Sequence, residues 1–297
     1  MKGISKAYLL GLAAVLIWST VASAFKLTLD HADPLSMVLL ASVVSTMVLM
    51  LVLLFRGKLT DLGRVPGKDI GKALMLGVLN PFLYYIVLFS AYDILKAQEA
   101  QALNYTWPII LTVLSVIVLG QRISKLQIAA VFIAFLGMFV ISSRGSFFLG
   151  STIAPLGILL GLLSALIWAS FWTLNIKSRL DDDIKLFLNF VSGSVLIMAV
   201  VLLRGGLEIG TGGIAGSAYI GIFEMGVTFI IWLKALKISG AASKISNLIY
   251  LGPFISLLFI RVLVGEHILL TTMIGLLLIV LGIAIQRFDD RFSGQVR

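Results

Sequence analysis

One acidic residue, Glu224, lies in the middle of a long apolar stretch, between Phe223 and Met225. The other Asp and Glu residues fall in polar breaks or near the ends of apolar segments. An ionisable group at the centre of a membrane helix costs about 2.5–3.5 kcal/mol on insertion scales, and such groups usually mark function. Glu224 is therefore a candidate for substrate binding and for proton coupling. The alternative is a protonated structural carboxyl group that is hydrogen-bonded to a neighbouring helix.

Two pairs of polar residues extend this candidate site, and Asn80 of one pair precedes Glu224 of the other by 144 positions, a spacing at which the sequence repeats. Thr228 follows Glu224 by four residues, and Tyr84 follows Asn80 by the same spacing. Residues four apart share one face of a helix, so each pair predicts a polar face at membrane depth. We expect both pairs to bind substrate. For Asn80, a hydrogen bond that only joins two helices is an equally good explanation.

Aromatic and polar stripes in four other segments supply the remaining candidates. Trp18 and Trp168 lie well inside their apolar segments. For both, lining of a cavity is therefore favoured over a place in the interfacial aromatic belt or simple packing. The polar members follow three- and four-residue spacing, which places them on one helix face. The substrate contacts expected from these stripes are Trp18, Trp168, Asn104, Tyr105, Asn247 and Tyr250.

The chain offers no pattern for catalysis or for metal binding. It has no cysteine, and its two histidines, His31 and His267, are far apart in the sequence. It contains no Walker loop, no HExxH motif and no GxSxG motif in a plausible setting. We therefore expect neither an enzyme nor a bound cofactor or metal ion, and ATP-driven transport would need a separate partner.

The composition identifies the environment in which these residues must work. Of the 297 residues, 60% are hydrophobic and 12% are charged, with a mean hydropathy of +1.09. Soluble domains are about 45–50% apolar and about 25% charged. These values exclude a soluble enzyme, a nucleic-acid-binding domain and a disordered chain. They predict an all-α integral membrane protein.

Apolar runs of about 20 residues, the length of a spanning helix, recur along the chain. Barrel strands would alternate over about 10 residues instead. Charged or glycine-rich breaks separate the runs, as at Arg56-Gly57-Lys58. The sequence predicts ten transmembrane helices near residues 7–25, 34–55, 70–92, 97–119, 125–143, 153–176, 184–203, 213–236, 240–263 and 267–286.

The basic residues predict the orientation of these helices. If the N-terminus is cytoplasmic, 18 Lys and Arg residues fall on the cytoplasmic side and 5 on the other side. Cytoplasmic loops of membrane proteins carry the excess of positive charge. We therefore expect both termini in the cytoplasm. The same cytoplasmic excess of Lys and Arg explains the net charge of +9, and we expect no nucleic-acid partner.

The two halves of the sequence resemble each other. The letters LLGL at 9–12 and LIW at 16–18 recur 150 positions later, at 159–162 and 166–168. A spacing of 145 relates Tyr105 and Pro108 to Tyr250 and Pro253. The sequence predicts two five-helix repeats, 1–146 and 147–297, and an odd helix number inverts the second. Inverted repeats typify secondary transporters, whose substrate site lies near the midplane between the halves.

Short motifs give the repeat a family resemblance. They are LIWST at 16–20 with its copy LIWAS at 166–170, the helices of Pro108 and Pro253, and IYLGP at 249–253. The pattern resembles the drug/metabolite transporter superfamily, and within it the EamA-type ten-helix transporters. The resemblance implies export of small metabolites, amino acids or drugs. Gly252, where the family usually has Glu, and Glu224, where it usually has a small residue, depart from the pattern.

These observations favour a secondary transporter that exports a small metabolite across the cell membrane by alternating access. A lipid flippase or a non-transporting membrane scaffold is the alternative, and a membrane enzyme is a weaker one. The expected partners are a small-molecule substrate and membrane lipids. Gly275 and Gly282 leave small surfaces that could pack within the chain or against a second copy in a homodimer. Packing within the chain is the preferred interpretation.

Overall fold

The structure is a computed structural model that describes residues 2–119, 124–142, 154–176, 180–238 and 247–292. Within these ranges the chain is helical and has no β-strand; one isolated β-bridge joins Ala32 to Ile209. The predicted all-helical class is therefore confirmed for the described part of the chain.

The helix boundaries follow the apolar runs closely. Asp33 caps the second helix through its side chain, and Pro34 occupies the first turn, where its missing N–H costs nothing. In chain order the helices are α1 Lys2–Leu29, α2 Pro34–Phe55, α3 Leu59–Leu62, α4 Gly67–Gly77, α5 Tyr84–Ile94, α6 Ala97–Asn104, α7 Trp107–Leu119, α8 Lys125–Ser142, α9 Pro155–Ile176, α10 Asp182–Arg204, α11 Thr211–Tyr219, α12 Thr228–Ile238, α13 Gly252–Phe259 and α14 Leu270–Phe292.

Six of the described helical stretches are long and apolar enough to cross a membrane. Shorter apolar helices occupy Lys125–Ile141, Gly252–Val264 and Leu270–Ile285. The protein is thus a multi-pass membrane protein. The six long stretches are Lys6–Leu29, Pro34–Phe55, Gly67–Ile94, Pro155–Asn175, Asp182–Arg204 and Thr211–Trp232.

Two of the long stretches are interrupted at matching places by segments with π-type hydrogen bonding, called the π segments below. Val78–Leu83 separates α4 from α5, and Ile220–Val227 separates α11 from α12; the first is kinked, because its backbone is non-helical at Asn80. In the first, Asn80 precedes Pro81 and has the extended backbone angles that a residue before proline prefers. In the second, the Ser45 hydroxyl of α2 donates a 3.0 Å hydrogen bond to the carbonyl of Met225. π segments of this kind occur frequently at functional sites.

Prolines mark breaks in two other helices. A turn at residues 105–106 separates α6 from α7, whose second residue is Pro108. The 3₁₀ segment Asn247–Leu251 precedes α13, whose second residue is Pro253. Proline has no backbone N–H and is tolerated in the first turn of a helix, so both prolines sit where a new helix begins.

Helices from the two halves of the sequence pack against each other in a crossed pattern. α1 packs on α12 and α13, whereas α9 packs on α5, α6 and α7. α2 pairs with α10, and α8 pairs with α14. The first helix of each half therefore lies against the third and fourth apolar segments of the other half.

Glycines allow α8 and α14 to approach closely. A Cβ added to Gly137 would lie 2.5 Å from the carbonyl oxygen of Gly275, and one added to Gly282 would lie 2.7 Å from that of Ala130. Small residues at such crossings are typical of membrane helix pairs. The expected packing of Gly275 and Gly282 within the chain is confirmed.

Ion pairs join α2 and α10 at both ends. At one end Arg204 donates a 2.6 Å hydrogen bond to Asp33, and at the other Arg56 and Lys58 each reach Asp183 at 2.6 Å. Burial alone would raise the pKa of Asp33. The hydrogen bonds from Arg204, Ser36 and the backbone N–H of Leu35 outweigh burial, and the pKa lies below its ordinary value.

Side chains also tie other helices together at the Asp33 end. The Lys26 ammonium of α1 donates to the carbonyls of Tyr92 and Leu95, at 2.7 and 3.0 Å. The Glu266 carboxylate accepts from the backbone N–H groups of Ala97 and Gln98, at 2.7 and 3.3 Å, where α6 begins. A carboxylate is favourable at a helix N-terminus. These contacts bridge sequence separations of more than 60 residues and hold this end of the molecule together.

Candidate functional site

The helices of the two halves enclose a cavity of about 420 Å³. This volume is within the range of about 300–1,000 Å³ that is usual for ligand pockets. Its wall is largely aromatic and includes all five tryptophans of the chain. The aromatic residues of the wall are Trp18, Phe25, Tyr84, Tyr92, Tyr105, Trp107, Trp168, Trp172, Phe229 and Trp232.

Six of the ten residues selected from the sequence line this cavity. They come from both halves of the chain and from five different helical segments, so the fold brings together positions far apart in sequence. The six are Trp18, Tyr84, Asn104, Tyr105, Trp168 and Glu224.

Glu224 is the acidic residue among the described residues of the wall. It lies in the π-helical segment Ile220–Val227, and its side chain is partly exposed toward the cavity. The Tyr85 hydroxyl donates a 3.4 Å hydrogen bond to its Oε1 atom. Tyr85 is fully buried and comes from the first half of the chain. Helical spacing gave no signal for this residue, because the contact depends on how two distant helices pack.

A chain of hydrogen bonds positions two other polar residues of the wall, Tyr84 and Asn104. The Tyr84 hydroxyl donates to Asn104 Oδ1 at 3.5 Å, and Asn104 Nδ2 donates to the Ser164 hydroxyl at 2.9 Å. Ser164 in turn donates to the carbonyl of Gly161 at 2.6 Å. These bonds tie α5 and α6 to α9 and fix the side-chain orientation of Asn104.

Tyr105 joins the two halves directly. Its hydroxyl donates a 2.6 Å hydrogen bond to the backbone carbonyl of Ile249, in the 3₁₀ segment that precedes α13. The Ser19 hydroxyl of α1 reaches the neighbouring Gly252 carbonyl at 3.2 Å. The interrupted helix around Gly252 therefore has its carbonyls satisfied by side chains from the first half.

The aromatic side chains form a connected cluster along the wall. The Trp18 ring lies 5.5 Å from the ring of Phe229 and 5.6 Å from that of Trp232. The Trp168 ring stacks on Tyr84 at 4.5 Å. Trp168 also lies 6.3 Å from Phe229, which links the two groups. Aromatic contacts at these distances hold the rings in defined orientations.

Two predicted residues, Asn80 and Thr228, do not line the cavity. Both are buried, and neither Asn80 Oδ1 nor Thr228 Oγ1 has a hydrogen-bond partner among the described residues. The physical reason is the break in α-helical geometry. Asn80 has non-helical backbone angles at the kink before Pro81, and Glu224 lies within the π segment Ile220–Val227, so neither pair keeps the four-residue register on which the prediction rested. Their role in substrate binding stays a prediction.

The side chains of Asn247 and Tyr250 lie outside the part of the chain that the structure describes. Six aromatic wall residues were not selected from the sequence: Phe25, Tyr92, Trp107, Trp172, Phe229 and Trp232. The sequence held a signal for the three tryptophans, because tryptophan is rare in this chain. The structure shows that all five copies line this cavity. Among the described residues, no group of His, Asp or Glu side chains could hold a metal ion.

Comparison with known proteins agrees with this architecture. The model of the EamA-like transporter family matches the chain twice, at residues 5–143 and 155–287. The chain belongs to this family. This EamA-family protein is a membrane transporter, and the predicted resemblance is confirmed.

Relatives of this EamA-family chain include named exporters. It is 26% identical over 217 residues to the uncharacterized transporter YvbV of Bacillus subtilis, which covers 71% of the chain and 70% of that protein. It is 28% identical over 204 residues to the aromatic amino acid exporter YddG of Salmonella typhimurium, with 66% of each covered. A solved crystal structure, 22% identical, shares the fold with a TM-score of 0.67 over 97% of this chain and 99% of the other.

Proposed function

We propose that the protein is a secondary transporter that exports a small metabolite, an amino acid, amine or drug-like compound, across the cytoplasmic membrane by alternating access. Its moving parts are two inverted five-helix repeats, residues 1–146 and 147–297, and both termini are cytoplasmic. Substrate binds in the aromatic cavity. The observation that carries the proposal is one cavity whose wall comes from both halves and contains the acid Glu224.

Two features of the fold support the inverted repeat. α1 packs on α12 and α13 just as α9 packs on α5, α6 and α7, so the contacts are reciprocal. The π segments Val78–Leu83 and Ile220–Val227 also occupy corresponding places, with Asn80 in one and Glu224 in the other. Discontinuous helices around a central site are a recurring feature of secondary transporters.

Glu224 is the proposed coupling residue. A carboxyl group that faces a cavity can exchange its proton with water there, whereas a charged carboxylate is costly in an apolar environment. The phenols of Tyr84, Tyr85 and Tyr92 are titratable neighbours, and Tyr85 donates its hydrogen bond to the carboxyl group. Proton and substrate would then compete for Glu224. A dry scaffold would gain nothing from retaining this acid.

Proteoliposomes containing a pH-sensitive dye test this proposal. Aromatic amino acids and quaternary aromatic amines, which cannot cross as neutral bases, are added outside, and a coupled carrier changes the internal pH when its substrate crosses. We expect Glu224→Gln to fold and insert, to lose transport or its pH dependence, and to unfold at an equal or slightly higher temperature. Glu208→Gln, an exposed acid outside the cavity, is the matched control. Wild-type rate and wild-type pH dependence in Glu224→Gln would contradict the coupling role.

A further inference from the structure

The charge on the cavity wall is not balanced. Among the described wall residues Glu224 carries a carboxyl group, and none is Lys, Arg or His. The hydrogen bond to Glu224 comes from the Tyr85 hydroxyl, a neutral donor. An ionised carboxylate at this place therefore has no counter-charge from the described wall, and a positively charged ligand would supply one.

The aromatic rings favour the same sign of charge. The face of an aromatic ring is the negative part of its quadrupole and attracts a cation that lies within about 6 Å of the ring centre. Rings of Trp18, Phe229, Trp168 and Tyr84 follow one another at centroid distances of 5.5, 6.3 and 4.5 Å. Glu224 is five residues before Phe229 on the same interrupted helix. The carboxyl group and these aromatic rings thus line one cavity.

An amino acid zwitterion would also need a partner for its own carboxylate. Two helix N-termini reach the wall, at Trp107 and Gly252. The second residue of each helix is a proline, which removes one of the N–H groups that an anion could bind there. At the first of these helices the N–H groups of Ile109 and Ile110 donate to the Thr106 carbonyl, and the amide nitrogen of Asn104 donates to Ser164. The described wall offers a carboxylate neutral donors, such as the Gln101 amide and the tryptophan N–H groups, but no cationic partner to offset the charge of Glu224.

We infer that the ligand of this cavity is a monovalent organic cation: a protonated or quaternary amine with an aromatic body and without a carboxylate. This assignment rests on the proposed function only in taking the cavity as the transport site. It differs from the substrates named for the exporter relatives, which carry both charges.

A ligand series with one ring and four charge states tests the assignment. Tryptamine is a cation, tryptophan a zwitterion, indole-3-propionate an anion and tryptophol neutral. Isothermal titration of the purified protein at one pH is expected to give binding of tryptamine at least about tenfold tighter than that of tryptophan, and no binding of the anion. Tryptophan binding as tight as tryptamine overturns the inference, and it does so in the wild-type protein without any variant.

Variants then locate the charge. Glu224→Gln is expected to weaken tryptamine binding about tenfold or more and to leave tryptophol binding unchanged, which also reports that the cavity is intact. Glu208→Gln should bind both compounds as the wild type does. Equal tryptamine affinity in Glu224→Gln and the wild type overturns the assignment of this carboxylate as the cation partner.

A transport assay separates this inference from the proposed function. The quaternary derivative N,N,N-trimethyltryptammonium cannot cross a membrane as a neutral base, so its entry into proteoliposomes requires a carrier. If it binds and crosses, both proposals are supported. If it binds and does not cross, the cation site is supported and the transporter proposal fails. If tryptophan crosses and the quaternary amine neither binds nor crosses, transport is supported and the cation inference fails.

Discussion

Trp18 and Trp168 occupy equivalent places in the two halves of the sequence, and both line the same cavity. The two rings have different neighbours within the wall. Trp18 meets Phe229 and Trp232, whereas Trp168 stacks on Tyr84. The repeat therefore supplies the residue type twice, and the neighbours make the two sides of the cavity chemically different.

Removing both rings should change the response of the protein to a cationic quencher. N-methylpyridinium that enters the cavity quenches the tryptophans of the wall, and we expect a saturable component of quenching. In Trp18→Leu/Trp168→Leu this component should shrink by roughly half, because cation–aromatic contacts are lost together with two fluorophores. Phe132→Leu, exposed on the outer surface of α8, is the control. Unchanged saturable quenching in the double variant would place both residues in packing instead.

The sequence predicted which residues lie deep in apolar segments better than it predicted which of them face the cavity. Glu224, Tyr84 and Trp168 were found because an unusual residue in an apolar run is visible without a structure. Asn80 and Thr228 were placed on the cavity face by α-helical spacing, and the π segments changed that register. Tyr85 was missed because its partner, Glu224, is 139 positions away.

Among the elements, the α8–α14 pair shows how closely two membrane helices approach when glycines face each other. A side chain at Gly137 would meet the backbone of Gly275 and the side chains of Leu278 and Ile279. Backbone atoms cannot move aside as a flexible side chain can. Position 137 therefore does not accommodate a side chain larger than that of glycine without a shift of the backbone.

Gly137→Leu is expected to destabilise the protein by about 1–3 kcal/mol, the usual cost of overpacking. Thermal unfolding in detergent measures the change. Gly71→Ala is the control, because an added Cβ at Gly71 has no atom within 4 Å. A wild-type unfolding temperature for Gly137→Leu would mean that this crossing is not as close as described.

The helical runs could be predicted because their length is a property of the sequence alone. α2 begins at Pro34 and ends at Phe55, as the apolar run does. Of the π segments, Val78–Leu83 has a signal in the sequence, because Pro81 breaks the helix there, whereas Ile220–Val227 contains no proline and gave none. The bond from Ser45 to the Met225 carbonyl joins positions 180 residues apart. Pro108 and Pro253 are also visible in the sequence, and each lies where a new helix begins.

On the scale of the whole molecule, charge at the two ends of α2 and α10 makes stability depend on pH. The pKa of Asp33 is lower in the folded protein than its ordinary value. The ionised form is therefore favoured by folding. Its stabilisation is fully present above the unfolded pKa of about 3.9 and is lost as the pH falls through the folded pKa.

Asp33→Asn isolates this contribution, because asparagine caps a helix about as well as aspartate but carries no charge. At pH 7 we expect the variant to be less stable than the wild type by up to about 1 kcal/mol, the scale of partly exposed ion pairs. The difference should shrink as the pH falls below about 4. Thermal unfolding of both proteins between these limits measures it. A difference that persists in acid would exclude the charge as its cause.

The predicted orientation is tested by fusion reporters. Reporters at Arg297 and in the 56–69 loop should be cytoplasmic, and one near Arg144 should lie outside, because cytoplasmic loops retain Lys and Arg. The opposite pattern would contradict the orientation and weaken the inverted repeat.

The ion pairs at both ends of α2 and α10 restrict the kinds of motion open to the molecule. Because ion pairs join α2 and α10 at both ends, the two helices can rotate together, but their ends cannot separate while the ion pairs persist. α2 belongs to the first repeat and α10 to the second, so the joined pair would serve as the axis about which the two repeats turn. Chemical crosslinks between α2 and α10 should then be harmless to turnover. Because the chain has no cysteine, such crosslinks can be introduced without first removing native thiols.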